Sequence, residues 1–246
     1  AGDVYTKVLK PFLTGVLLTD PKNVSNQATK ELVKSFIRSS PGIPAMGVGE
    51  FARNLALPLH DIQLSTPVES LHDGFVRTKK GKVSGDCIIV ATDPVTAAQL
   101  LGSPKAPRMN HSTTWYHALD EGEITSQRLR FDMKNAGPVI NSIAISNLSP
   151  YYSPGGKTLI SSTTITPASE SEVRRHLAHL WKVSTQSWDL VSKYELKQSL
   201  PLHEVGQPTE QNVQIKPNLF VVGDYRGLPS QQGAMYSGRR AAELII

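Results

Sequence analysis

At 246 residues, 39% of them hydrophobic and 19% charged, the chain has the balance of an ordinary globular protein, with length for one large domain or two modest ones. Its single cysteine, Cys87, excludes an internal disulfide and fits a reducing, cytoplasmic compartment. The net charge of +5 is scattered among 21 acids, and the tightest basic run, Lys79-Lys80-Gly81-Lys82, has no aromatic platform beside it, so a solvated hairpin tip is expected there and no nucleic-acid surface.

The chain opens on AGDVYTKVLK, with neither a signal-peptide apolar region nor an initiator Met, so a piece of a longer chain is expected. An apolar run, Lys10–Leu18, is broken by Pro11 and Gly15. Asn26–Ser39 then reads as a helix with Leu32, Val33, Phe36 and Ile37 on one stripe, stopped by Pro41 and Pro44. Gly47-Val48-Gly49-Glu50-Phe51-Ala52 matches G-x-G-x-x-A, and Glu69 follows near the distance of a ribose-binding acid. A dinucleotide fingerprint needs a buried strand running into its first glycine. Two prolines stand there instead, which favours a glycine-rich start to a helix carrying Phe51, Leu55 and Leu59.

Ile62–Leu64 and Val68–Leu71 are short strand candidates, and His72-Asp73-Gly74 is a hairpin turn that returns through Phe75–Thr78. Cys87–Ala91 reads as a fully apolar strand with Cys87 as a buried thiol. Asp93 is a good N-cap for a helix over Val95–Leu101, and Pro94 suits its first turn. The middle of the chain has a different texture. His111–Leu119, Gln127–Met133, Val139–Ile145 and Lys157–Ile165 alternate or run β-branched between Gly-Pro, Ser-Pro and Gly-Gly turns, as strands of a mixed or antiparallel sheet do. Ser169 and Glu172 form a capping box for a helix over Ser169–Lys182 whose apolar face is Val173, Leu177, Leu180 and Trp181. Tyr194–Leu200 reads as a further strand.

The last stretch carries the strongest signal. Leu219–Val222 is a short buried-strand pattern, ended by Gly223-Asp224 and followed by a polar loop. From Gly233 the pattern turns helical, with Ala234, Met235, Ala241, Ala242 and Ile245 on one broad face. Gly233, Ser237 and Ala241 are small residues four apart, so that side can approach another backbone closely. A strand-end acid accepts hydrogen bonds from ribose or ribityl hydroxyls, and free amides at a helix start attract anions or carbonyls. The pattern alone indicates a polar ligand or a plain closing strand–helix pair.

Other chemistry is poorly supported. His176 and His179, and His111 and His117, lack a cysteine or carboxylate at a ligand spacing, so no metal is expected. There is no G-x-S-x-G elbow and no G-x-x-x-x-G-K-[ST] loop. Asp120-Glu121 and Glu170/Glu172 stand in turn or capping contexts. No apolar stretch approaches the roughly 20 residues needed to cross a bilayer.

The run GD–(loop)–PS–x-x-GA–x-x-SGRRAA resembles the C-terminal FAD signature of flavin-dependent amine oxidases and phytoene-dehydrogenase-like oxidoreductases. IPAMGVGEFARNLA is similar to the P-x-G-G-M segment of the same families, and IQLSTPVESL…CIIVATDPVTAAQLL to their adenine-side segment. The resemblance implies cofactor contacts at Gly223, Asp224, Gly233, Ala234 and Met235, and a backbone contact near the adenine at Val68. The implied fold class is α/β, α+β in the middle: pieces of an FAD-binding domain at 41–98 and 217–246, and a mixed sheet-and-helix substrate domain at 1–40 and 99–216. It implies FAD and hydride transfer to flavin from an apolar or amine small molecule, chemistry the cofactor itself carries. Trp115, Tyr116, Tyr151 and Tyr152 are candidate pocket residues, with core or rim packing the plainer reading and no catalytic role assigned. The families' N-terminal G-x-G-x-x-G pyrophosphate loop has no acceptable copy, so the parallel sheet is expected to lack its first strand, leaving the CIIVA and LFVVG strands beside a gap. A cofactor-free module that binds a ligand or partner subunit is the alternative. A peripheral membrane contact suits a lipid-like substrate, although no amphipathic basic helix argues for it.

Overall fold

The computed structural model describes residues 2–39, 41–103 and 105–246. In chain order the first helices are α1 (Lys10–Leu17), α2 (Asn26–Arg38) and α3 (Gly49–Ala56). A hairpin sheet follows, β1 (Val68–His72), β2 (Phe75–Thr78) and β3 (Gly81–Ser84), then β4 (Ile88–Val90) and α4 (Pro94–Leu100). The middle holds β5 (Met109–Leu119), β6 (Arg130–Phe131), β7 (Val139–Ala144), β8 (Thr158–Thr164), α5 (Glu170–Trp181) and β9 (Asp189–Pro201). The chain closes with β10 (Gln214–Lys216), β11 (Leu219–Val221) and α6 (Gln231–Ile245). The chain is α/β, and among the described residues the strands form three sheets, ordered β1-β2-β3, β10-β11-β4 and β6-β7-β8-β5-β9.

Two compact units share these elements. One comprises residues 1–23, 32–58 and 110–199, the other 24–31, 59–109 and 200–246. These bounds differ from the expected segments at 24–31, 41–58, 99–109 and 200–216. Residues 41–58 belong with the large sheet: Ser149 Oγ donates to the Ala45 carbonyl at 2.7 Å and Tyr152 Oη to the Pro44 carbonyl at 3.0 Å. Residues 200–216 belong with the closing strands, through β10 on β11 and the Leu202 amide on the Arg108 carbonyl at 2.8 Å.

In the first unit, alternation along each strand sorts the side chains. Trp115, Leu119, Val139, Ala144 and Ile160 form one core with Val173, Leu177 and Trp181 of α5. The Ser169 capping box is present, with Ser169 Oγ accepting from the Glu172 amide and Glu172 Oε2 from the Ser169 amide. Two indole nitrogens inside the core are paired: Trp181 Nε1 donates to Ser142 Oγ at 2.9 Å and Trp115 Nε1 to Thr164 Oγ1 at 3.2 Å. Trp115 is therefore a core residue.

In the second unit, β4 and β11 pair in parallel, Leu219 against Ile88 and Val221 against Val90. On the outer side of β4 the described residues supply no strand, and Ile89 stays 46% exposed. Val90, Ala97, Val221 and Tyr225 pack on one face, and Val213, Phe220, Val222 and Ala241 on the other. Asp93 caps α4, accepting from the Val95 and Thr96 amides at 3.0 Å each. The Thr96 hydroxyl foremost, then these amides, holds its carboxyl below the usual range. Replacing Asp93 with Ala is expected to lower unfolding stability by about 1 kcal/mol, measured by urea denaturation.

Several local expectations need correction. Cys87 is exposed, because the strand begins one residue later and β4 is an edge. Residues 62–64 form no strand, and Ser65 turns the chain with φ +52°. The glycine-rich helix start is as expected: no strand runs into Gly47, whose φ of +105° makes a turn opening α3, so the G-x-G-x-x-A match is no dinucleotide fingerprint. That helix ends at Ala56, short of Leu59 and just ahead of Pro58, and its Phe51 and Leu55 are exposed.

Candidate functional site

The closing strand, the turn after it and α6 form one tightly packed unit. Past β11 the backbone extends through Gly223 with φ +152°, and a Cβ there would lie 2.4 Å from the Tyr225 ring. Only glycine lets the strand end this way. Ser237 Oγ then ties the strand end to α6, accepting from the Gly223 amide at 2.8 Å. Its own proton is shared between the carbonyls of Ala234 at 2.7 Å and Gly223 at 3.1 Å. A Cβ on Gly233 would stand 1.9 Å from the Leu228 carbonyl oxygen. The small stripe Gly233, Ser237, Ala241 is thus the buried face of α6, and Met235, Ala242 and Ile245 are exposed. The broader apolar face expected from the sequence is not the packed one, because close backbone approach selects the small residues.

Asp224 opens the turn over Asp224–Arg226, which packs directly on α6. Its carboxylate is half-buried, and among the described residues no cation lies within ion-pair distance. Burial raises its pKa, and hydrogen bonds from its own amide and that of Tyr225 oppose the rise. A carboxylate partly stripped of water and unneutralised has acceptor capacity to spare. Arg226, two residues on, is occupied by Gln211 and the Asn212 carbonyl.

The helix start is also specific about its donors. Ser230 is the N-cap: its Oγ accepts from the Gly233 amide at 3.0 Å and its carbonyl from the Ala234 amide at 3.0 Å. Those two amides, expected to face a ligand, are therefore spent inside the helix. The orphan donors are one step earlier, at Gln231 and Gln232, both exposed and without a hydrogen-bond partner on their amides among the described residues. The sequence signal was Ser230 three residues before Gly233, the spacing of an N-cap to its N3 amide.

Gly223, Asp224, Gly233 and Ala234 thus come together, joined through Ser237, which the sequence reading counted only as small. Met235 lies on the exposed side of α6. Val68 opens β1 in the separate hairpin sheet, more than a third exposed, where β1 packs on α4. A cavity of about 340 Å³ lies on the α4 side of β11, lined by Ala97, Leu101, Gln211, Tyr225 and Arg226 but not by Asp224 or α6. Of the aromatic candidates, Tyr116 meets Tyr194 edge-on at 6.0 Å and Tyr151 is exposed.

A glycine-forced strand end, an unneutralised acid and a helix start with free amides suit a polyhydroxyl chain beside an electron-rich ring. The comparison with known families decides which. The family model for flavin containing amine oxidoreductases matches residues 1–246. The chain belongs to that family. Its expected cofactor is accordingly FAD. No curated protein is similar to this flavin-family chain at a significant level. Among solved structures it is similar to an oxidoreductase from Methanosarcina mazei, with TM-score 0.78 and 14% identity over 99% of this chain and 65% of that one. It is also similar to a putative protoporphyrinogen oxidase from an Exiguobacterium species, with TM-score 0.70 and 15% identity over 98% and 63%. Reduced UDP-galactopyranose mutase matches with TM-score 0.66 and 13% identity over 99% and 65%. The chain therefore spans just under two thirds of the length of each, and at these identities the likeness is one of fold.

Proposed function

We propose that this chain supplies the ribityl- and ring-facing part of the flavin site in an FAD-dependent oxidoreductase, phytoene-dehydrogenase-like or amine-oxidase-like. On this reading the diphosphate clamp comes from residues outside these 246. The observation that carries the reading is the half-buried, unneutralised Asp224 carboxylate at the turn packed on α6. Bound FAD would supply the hydride acceptor. Asp224 would accept hydrogen bonds from ribityl hydroxyls, and the Gln231 and Gln232 amides would face the electron-rich edge of the ring. Gly223 and Gly233 allow the tight packing of turn and loop beside them, Ser237 ties the strand end to α6, and on this reading acid and helix start would reach one ligand. Val68 and Met235 enter the site by family resemblance. The substrate is a small molecule of apolar or amine character in a cytoplasmic enzyme.

Visible absorption of the purified full-length protein tests the cofactor, and Asp224→Asn tests the residue. Loss of a charged acceptor is expected to weaken FAD binding about 10- to 100-fold, read by flavin fluorescence titration. Unfolding stability without flavin is expected to stay level or rise at neutral pH. A group whose folded pKa is raised costs the folded state stability once the pH exceeds its unfolded value, and the amide removes that charge. A colourless full-length protein that FAD does not reconstitute would favour the cofactor-free module, for which the missing pyrophosphate loop speaks.

A further inference from the structure

The strand β9 is an edge of the five-stranded sheet and is 13 residues long. From Leu190 to Gln198 every residue but Ser192 is exposed, including Val191 at 58%, Tyr194 at 55% and Leu196 at 49%. A long, partly apolar edge presents unpaired backbone groups to any other strand, and proteins usually blunt such edges with lysine, proline or brevity. Here the only proline is the last residue, Pro201, and the lysines come with an acid between them: Lys193, Glu195, Lys197. Spaced by two, these three side chains share one face, and Lys193 and Glu195 already form an ion pair along the strand.

That sequence is self-complementary in one antiparallel register. A two-fold axis through residue 194 sets each position opposite the one equally far beyond the axis. Lys193 then faces Glu195 of the second copy, twice by symmetry. Tyr194 meets its own counterpart, with Leu196 of the second copy diagonal to it. Centring on Glu195 instead would put Glu195 on Glu195 and Lys193 on Lys197, all repulsive. Centring on Leu196 keeps a Glu195–Lys197 pair but sets Tyr194 against Gln198. We propose that β9 is the seam of a two-fold dimer of this protein, the two strands antiparallel and centred on Tyr194.

Sedimentation velocity on the purified protein from about 1 to 100 µM tests the seam. The wild type is expected to dimerise in this range. Lys193→Glu and Glu195→Lys should each weaken association about tenfold or more, since each turns two attractive cross-strand pairs repulsive. The double variant K193E/E195K should restore it to within about threefold, because the pairs reform with signs exchanged. Circular dichroism of each variant shows that the fold is intact. A wild type that stays monomeric at about 100 µM would mean the lysines blunt the edge, and would overturn the proposal. So would a dimer indifferent to both single changes, or one lost in E195K and restored by E195K/K197E but not by K193E/E195K.

Discussion

Gly233→Ala is expected to cost the protein about 3 kcal/mol of unfolding stability, near the upper end for overpacking by one methyl group. The new Cβ would lie 1.9 Å from the Leu228 carbonyl oxygen, and the amide carbon behind it at 3.0 Å leaves the oxygen no rotamer in which to retreat. Relief requires α6 to move off the loop, which pulls Ser237 Oγ from the Gly223 amide and opens the strand end beside Asp224. Urea denaturation gives the stability, and flavin titration of the same variant is expected to show weakened binding. Gly238→Ala is the control. It lies in the same helix with nothing within 4 Å of a Cβ, and should be neutral or stabilise by about 0.5–1 kcal/mol. Equal effects at the two glycines would refute the close approach.

His117→Phe is expected to remove an acid-sensitivity of about 3 kcal/mol. His117 is fully buried beneath α5, and neither ring nitrogen has a hydrogen-bond partner among the described residues. Burial foremost, then the Arg174 charge, lowers its pKa from 6.5 to about 4, against the weaker opposing pull of Glu170 at 3.8 Å. A histidine whose folded pKa is depressed binds its proton more readily once unfolded. Its stability contribution is therefore complete above pH 6.5, is lost as the pH falls, and levels off below about pH 4. The interval corresponds to about 3 kcal/mol. Phenylalanine cannot titrate and leaves no unpaired nitrogen, so at pH 7 the variant should match or exceed the wild type. The measurement is the difference between the two in urea stability at pH 7 and pH 4.5, since His176 and His203, whose pKa values burial also lowers, add the same slope to both. Parallel pH profiles for the two proteins would contradict the assignment.

Local chemistry accounts for what was legible in the sequence. The capping box at Ser169 and the Asp93 cap depend on residues three positions apart, and both helices start where the sequence places them. Alternation found the cores of β5, β7 and β8 because one face of each is buried against α5. β9 was half-read: the expected strand began at Tyr194 and missed Asp189–Lys193, and since exposure runs on through Gln198 the strand shows no alternation over most of its length. Cys87 was misplaced because an apolar run does not reveal that its strand is an edge. At the candidate site, the strand–acid–glycine order picked out elements that pack on one another. The hydroxyl that ties them, on Ser237, and the shift of free amides to Gln231 and Gln232 emerge only once Ser230 caps the helix and α6 lies on Gly223.

The parallel pairing of β11 with β4 has a kinetic consequence. Leu219 and Ile88 lie more than half the chain apart, and the whole large sheet is encoded between them. A contact of such long range demands a costly loop closure, while β7, β8 and α5 need only near neighbours. During synthesis the inserted sheet can form first, and β4 cannot pair with β11 until that strand has followed the whole sheet out of the ribosome. The acid that the flavin reading depends on sits at the end of β11, so on that reading cofactor capture would follow the large sheet's folding rather than precede it.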